Sequence, residues 1–326
     1  MMPPFNTIIG KDKLIAKDFL EKGELAAIPT ETVYGLAGNA LNEDTVLKIF
    51  TAKNRPHFDP LIVHTHSIEE IEKYVQAVPA KALKLMEAFM PGPLTVLLPK
   101  KTNIPDLVTS GLDEVAIRIP QHPLTLELLK SLPFPLAAPS ANPFGYISPT
   151  TAQHVYDQLQ GKIPYILDGG PCHIGLESTI IGFEKDNVVV YRLGGLPVEQ
   201  IENLVGPVVV APQKSANPHA PGMLPSHYAP KKKLIFGNTK ALQDDSTDWP
   251  GGNKKGIIAF DTPVEGVSAD NQVILSPTGN LNEAAKNLFA AMRRLDASDV
   301  DVIYAVEFPS TGLGRAINDR LKRASA

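Results

Sequence analysis

Apolar residues along this chain gather in short runs that stop at proline or glycine: ELAAIP (24–29), PLIVHT (60–65), LTVLLP (94–99), VAIRIP (115–120), PLAAP (135–139), PYILDGG (164–170), STIIGF (178–183) and NVVVYRL (187–193). Proline fixes φ and donates no N–H, so such runs read as strands ended by turns. Between them the period changes to that of a helix. The chain turns helical after Gly10, and Asn42 is placed to cap EDTVLKIFTAK. Residues 79–90 carry apolar groups at helical spacing behind a proline, and a further helix starts near Ser148-Pro149 and runs through TAQHVYDQLQ. Strands mixed with helices, without strict alternation, predict an α/β domain built on a twisted, mixed sheet.

After Arg192-Leu193-Gly194-Gly195 and a short helix, PVEQIENLV, the pattern breaks. Residues 206–230 hold six prolines and no helical period. Proline keeps such a segment extended and semi-rigid, as a linker. From Lys231 a second unit begins: three buried strands, a long amphipathic helix over 280–298, the run VDVIYAVEF and a last helix. The expected division is a domain over 1–206, a linker over 207–230 and a small α/β domain over 231–326.

Composition narrows the classes. The 326 residues are 43% apolar and 20% charged, with a net charge of −4, which argues against a protein that coats nucleic acid but leaves room for a local basic pocket. The one cysteine, Cys172, cannot close an internal disulfide and lacks a CxxC partner for zinc, which suits a reducing cytoplasm. No stretch approaches the ~20 apolar residues of a membrane span, and the first residues lack a signal-peptide pattern. A cytoplasmic protein with no membrane partner is expected.

Four clusters look like chemistry. Pro29-Thr30-Glu31-Thr32-Val33-Tyr34-Gly35 follows a strand and puts polar groups at a sheet edge, where α/β sites sit. Lys53-Asn54-Arg55-Pro56 closes a helix; cations there complement the macrodipole, or they serve as donors to phosphate or carboxylate. His64 ends the next strand. In Ala138-Pro139-Ser140-Ala141-Asn142-Pro143, small residues allow close approach of a ligand, while residues 148–150 would open a helix able to receive an anion or be plain caps. Last come Asp168-Gly169-Gly170, Glu177-Ser178-Thr179 and Arg192. Arg118 and Arg192 lie within apolar strands, and a buried guanidinium needs a partner. That partner is an internal carboxylate, Glu31 or Glu177, or a bound anion. No P-loop, GxGxxG helix opening, GxSxG elbow or HExxH occurs, so a nucleotide would be held by scattered side chains.

Taken in order, PTETVYGLAGNA, AKNRP, PLIVH, PGPLTVLL, VAIRIP, AAPSANPFGYISPT, LDGG, ESTI and RLGG resemble the YrdC-like fold family. With APGMLPSHYAP (220–230) and FPSTGLGRAINDRLKRAS (308–325), the chain is similar to its long, two-domain L-threonylcarbamoyladenylate synthases. The resemblance implies a second, Rossmann-like domain and a nucleotidyltransferase activity: threonine, bicarbonate and ATP give threonylcarbamoyl-AMP and pyrophosphate, used to modify adenosine 37 of ANN-decoding tRNAs. It implies that Lys53 and Arg55 are catalytic and flank the phosphates. It gives Lys53, Ser140, Asn142, Ser148, Arg192 and Tyr228 to ATP, with Mg²⁺ held by the triphosphate and no protein metal site. Thr30, His64, Arg118, Ala138 and Ser178 would line the threonine pocket. Tyr228, with His227, would fold the linker over the site. The implied partners are the downstream tRNA threonylcarbamoyl transferase machinery and, weakly, tRNA. Asp59 and His57 fall in a variable stretch and receive no role. Ala37-Gly38-Asn39 is taken as a turn. Arg315, Arg320 and Arg323 are taken as a solvated helix face. The competing classes are an RNA-binding YrdC-like module without adenylation activity, against which the scarcity of aromatics (6%) speaks, and a carbamoyltransferase-type domain, whose acylphosphatase and zinc-finger segments are absent.

Overall fold

The computed structural model describes residues 5–185, 187–212, 220, 223, 226–238 and 254–326. Parts of the expected linker therefore lie outside the described residues. The first unit is an 11-stranded sheet in the order β1-β8-β2-β3-β7-β4-β6-β5-β9-β10-β11. Its strands are β1 (Ile8–Gly10), β2 (Ala26–Ile28), β3 (Gly35–Asn39), β4 (Ile62–His64), β5 (Leu94–Pro99), β6 (Glu114–Arg118), β7 (Leu136–Ala137), β8 (Tyr165–Leu167), β9 (Thr179–Glu184), β10 (Asn187–Arg192) and β11 (Val209–Val210). Pairing is mixed, as the pattern of runs predicts: β4 and β6 are parallel, while β5 and β6 are antiparallel. The second unit is a parallel sheet in the order β12-β15-β13-β14, with β12 (Lys233–Gly237), β13 (Lys255–Ala259), β14 (Gln272–Ile274) and β15 (Val302–Val306).

Local chemistry fixes the helices that matter for the site. The helix Glu43–Lys53 starts on Asn42, whose side chain accepts from Thr45 N–H; Glu43 and Asp44 follow in its first turn. It stops at Asn54, in the left-handed region at φ 52°, which turns Arg55 away from the axis. The helix Ala152–Leu159 is capped by Thr151, not by Ser148 or Thr150. This corrects the expectation that 148–150 open that helix: Ser148 instead donates to Glu177 Oε1 at 2.5 Å. Ala37-Gly38-Asn39 is not a turn but the second half of β3, where a Cβ on Gly38 would sit 2.7 Å from Thr45 Cγ2.

Residues two apart on a strand share a face. On β4, β5, β6 and β9 one face carries Val63, Val96, Ile117 and Ile181 into the main core. The opposite face carries His64, Thr95 and Arg118, with Ser178 just before β9. His64 pairs directly with Arg118 in the parallel register. One pleat places a polar row across the middle of the sheet.

The second unit does not close its core alone. The helices Leu281–Ala297 and Leu313–Ala324 share a cluster with Val33, Ile147 and Leu176 of the first unit and with Tyr228. Gly175, at φ +78°, lets the chain pass so close to the longer helix that a Cβ would meet Lys286 Cα at 2.6 Å. Among the described residues no helix is long and apolar enough to cross a membrane.

Candidate active site

The polar row forms the floor of a cleft. Its lining includes Thr30, Arg55, His64, Arg118, Ala138, Ser140, Ser178, Arg192 and Tyr228 from the sequence reading, together with Thr32, Pro60, Ile62, Glu177 and His227. Residues scattered over some two hundred positions thus meet in one place. Lys53, Asn142 and Ser148 are not on that lining. The Lys53 ammonium, 1% exposed, donates to the carbonyls of Ser140 and Asn142 and ties down the loop that forms one wall. Burial, and next the Arg55 charge, push its pKa well below the usual lysine value. Asn142 Nδ2 is spent on the Pro143 and Tyr146 carbonyls, both at 2.8 Å.

The charges are organised in pairs. Arg118 Nη2 meets Glu31 Oε1 at 2.6 Å, and the other carboxylate oxygen accepts from Gln121 N–H at 3.0 Å. Of the alternatives left open by the sequence, Arg118 therefore takes an internal carboxylate. Arg192 lies against Ser178 instead: Nη2 reaches the carbonyl at 2.8 Å and the hydroxyl at 3.0 Å. Ser178 is also held by Thr95 at 2.7 Å. Asp59 does have a place, contrary to expectation. It is wholly buried, and its carboxylate lies 2.8 Å from Arg55 Nη2; Arg55 also donates from Nε to the Asp59 carbonyl at 3.1 Å and from Nη2 to the Pro60 carbonyl at 2.8 Å. Arg55 is thereby aimed before any ligand arrives.

The C-terminal arginines overturn the solvated-face expectation. Arg320 is 0% exposed and Arg323 is 4% exposed, while Arg315 is half-buried. Arg320 Nε donates to Glu177 Oε2 at 2.8 Å and its Nη2 to the Leu193 carbonyl at 2.9 Å. Burial would raise the Glu177 pKa, but the Arg320 and Arg192 charges outweigh it and hold the carboxyl below its usual value. Nothing local in the sequence marks Arg320: basic residues three apart on a last helix look solvated until the fold puts that helix against the first domain.

His227 and Tyr228 line the same cleft. Tyr228, 1% exposed, stacks on Phe289 at 5.7 Å, with the Arg320 and Arg323 guanidiniums 4.9 and 5.3 Å from its ring. His227 packs edge-on to Phe144. The space left is about 50 Å³, against the ~300 Å³ or more of a small-ligand pocket. Burial and the neighbouring Arg323, Arg55, Lys53 and Arg320 charges hold His227 neutral. Burial and Arg118 push His64 down to about 3, so that ring is a neutral acceptor. Its Nδ1 lies 3.1 Å from the Ile62 carbonyl, which leaves Nε2 for the cleft.

Buried polar atoms normally have partners, and an exception calls for an explanation such as a ligand, an ordered water or strain. Here Arg118 Nε, Asn142 Oδ1 and His227 Nδ1 have none among the described residues. A cleft rich in guanidiniums, with a neutral imidazole and hydroxyls beside it, suits an anionic ligand next to a small polar one. No group of three or more His, Cys, Asp or Glu among the described residues could hold a metal.

Comparison with known proteins points the same way. The Sua5/YciO/YrdC family (telomere recombination) matches residues 18–194, and the threonylcarbamoyl-AMP synthase C-terminal domain matches residues 196–326. The threonylcarbamoyl-AMP synthase of Pyrococcus abyssi is 42% identical over 322 residues, covering 95% of this chain and 93% of its own. That of Bacillus subtilis is 42% identical over 317 residues, covering 95% and 92%. The crystal structure of P. abyssi Sua5 complexed with L-threonine superimposes with a TM-score of 0.90 at 39% identity, covering 98% of this chain and 97% of that one. Full-length HypF, at 22% identity and a TM-score of 0.50, shares the fold alone.

Proposed function

The chain belongs to the threonylcarbamoyl-AMP synthase family, and from that premise we infer that it joins L-threonine, bicarbonate and ATP into L-threonylcarbamoyladenylate, releasing pyrophosphate and water. The product supplies the threonylcarbamoyl group of adenosine 37 in ANN-decoding tRNAs. The observation that carries this reading is the gathering of Thr30, His64, Arg118, Ala138 and Ser178 with Arg55, Ser140, Arg192 and Tyr228 around one cleft. The first set is assigned to threonine, the second to ATP.

The reaction asks the protein chiefly to align and to neutralise. The threonine amine captures carbon dioxide as a carbamate, and a carbamate oxygen attacks the α-phosphorus as pyrophosphate leaves. Arg55, aimed by Asp59, faces the charge that grows on the departing phosphates. The orphaned Arg118 Nε offers a donor to the amino-acid carboxylate or the carbamate. His64, neutral and with Nε2 facing the cleft, accepts from the threonine hydroxyl or amine. Lys53 acts through the wall: by holding the Ser140 and Asn142 carbonyls it sets the loop against which ATP would lie. Ser148 and Glu177 serve the same side of the site. Mg²⁺, bound through the triphosphate, would offset its charge. The linker carries His227 and Tyr228 as a lid, since a cleft of about 50 Å³ must open to take a nucleotide. The downstream transferase machinery receives the product.

Pyrophosphate release from ATP tests the assignment. It should require threonine and bicarbonate together. Equal release with serine, or without bicarbonate, would contradict it.

A further inference from the structure

Ser178 Oγ is shared by two neighbours. Arg192 Nη2 donates to it at 3.0 Å, and Thr95 Oγ1 lies 2.7 Å away. Both hydroxyl residues are wholly buried, but their places differ. Ser178 lines the cleft and Thr95 does not. Thr95 sits on β5, between β6 and β9, and its branched Cβ leaves the side chain few rotamers. Its hydroxyl is therefore fixed in place before a ligand arrives.

The protons then set the direction of the pair. A hydroxyl has one proton to give and two lone pairs to receive. One Ser178 lone pair is taken by Arg192, whose N–H can only donate. If Ser178 donated to Thr95, the Thr95 proton would have no acceptor among the described residues, and a ligand in the cleft could not reach it. A buried donor left unmet costs more than one made bond returns. If Thr95 donates instead, both Ser178 lone pairs are filled. The proton left over then belongs to the residue that lines the cleft, where a ligand can receive it.

We infer that Thr95 is a positioning residue for the reaction: it donates to Ser178 and so turns the Ser178 proton toward an anionic oxygen of the amino-acid substrate, its carboxylate or the carbamate. This rests on the assignment of Ser178 to threonine. The donors run from Thr95 to Ser178 to substrate, and each bond in such a chain strengthens the next. The Arg192 charge, donated to the same oxygen, makes Ser178 a stronger donor than a solitary serine. Thr95 itself touches no substrate.

The experiment compares Thr95→Val, Thr95→Ala and Thr95→Ser in the full chain, with Thr95→Val made on Ser178→Ala as well. Valine keeps the shape of the side chain and removes the hydroxyl, which frees Ser178 to turn its proton away. The KM for L-threonine, at saturating ATP and bicarbonate, should rise about three- to tenfold, the range of one hydrogen bond. The kcat and the KM for ATP should each stay within about twofold. Thr95→Ser returns the hydroxyl and should restore the threonine KM. On Ser178→Ala, Thr95→Val should add nothing further, since the proton it directs is gone. A hydroxyl that only steadied the sheet would add its cost in both backgrounds. Thermal melts check the fold, and Thr95→Ala gives the same reading should valine not be accommodated. A threonine KM unchanged in the valine and alanine variants would overturn the inference. So would a rise that persists in full on Ser178→Ala, or one matched by the KM for ATP. Ser178→Ala alone tests the assignment underneath: an unchanged threonine KM there removes Ser178 from the threonine pocket and the inference with it. A raised KM there beside silent Thr95 variants removes only the role of Thr95.

Discussion

Replacing Arg320 with leucine should cost this protein both stability and activity, although the residue lies on the last helix of the second domain. In the native chain its Nε meets Glu177 Oε2 at 2.8 Å, with the guanidinium wholly buried. Nη1 is taken by Asp319 and Nη2 by the Leu193 carbonyl. Removing the cation leaves Glu177 buried with only the Ser148 hydroxyl and the more distant Arg192 charge to hold it. Breaking one side of a buried pair costs about 3–5 kcal/mol. Loss of the Tyr228 ring contact adds ~0.5–2 kcal/mol. Urea titration followed by circular dichroism would read the loss as a lower midpoint. Glu177→Gln in the same chain removes the stranded charge and should recover at least ~1 kcal/mol, a coupling of the size seen for contacting residues. Pyrophosphate release should fall in the single variant, since Ser148 and Tyr228 both lose a support. A loss below about 1 kcal/mol, or strictly additive costs in the double variant, would refute the argument that the second domain completes the cleft.

Arg55→Ala should slow turnover by at least ~100-fold if its charge acts on the phosphates; Lys53→Ala should do the same but also lower the unfolding temperature, because two wall carbonyls lose their donor. Pyrophosphate assays beside thermal melts separate the two, and near-normal rates would remove both from the site. Gly194→Ala should be destabilising by at least ~2 kcal/mol, because a Cβ would fall 2.3 Å from the Glu177 carbonyl oxygen and 2.4 Å from Ser178 C, backbone atoms that cannot yield. A melt within a degree of wild type would contradict the close approach. His64 and His227 stay neutral when folded, His64 down to about 3, whereas unfolded imidazoles titrate near 6.5. Below that pH the unfolded chain binds protons that the folded chain refuses. Stability should therefore fall as pH drops from about 6.5, by up to ~1.4 kcal/mol per unit for each histidine. An unfolding midpoint that is flat between pH 6.5 and 5 would count against it.

Much of this fold could be read from the chain because its strands are short and proline-bounded. PLIVHT, VAIRIP and STIIGF became β4, β6 and β9, and Asn42 capped the helix it precedes. What periodicity could not show is which face of a doubly buried strand meets the ligand. In PLIVHT and VAIRIP both faces are apolar but for His64, Thr65 and Arg118, and only the register between strands places His64 and Arg118 side by side. The direction of Lys53 was equally hidden, since a cation ending a helix looks the same whether it faces solvent, phosphate or two carbonyls. Ser148 gave the signal of a helix cap, yet Thr151 took that position and left Ser148 to Glu177. Arg320 gave no signal at all: Glu177 and the Leu193 carbonyl, which receive its guanidinium, lie more than a hundred positions away.

The most direct test is a crystal structure of the chain with L-threonine, bicarbonate and a non-hydrolysable ATP analogue. The account predicts threonine on the polar row of the sheet, against His64 and Arg118, with its nitrogen or carbamate facing the α-phosphate within reach of attack, ~3–3.5 Å for the reacting atoms. Threonine whose nitrogen points away from the α-phosphate, or a nucleotide seated outside this cleft, would contradict it.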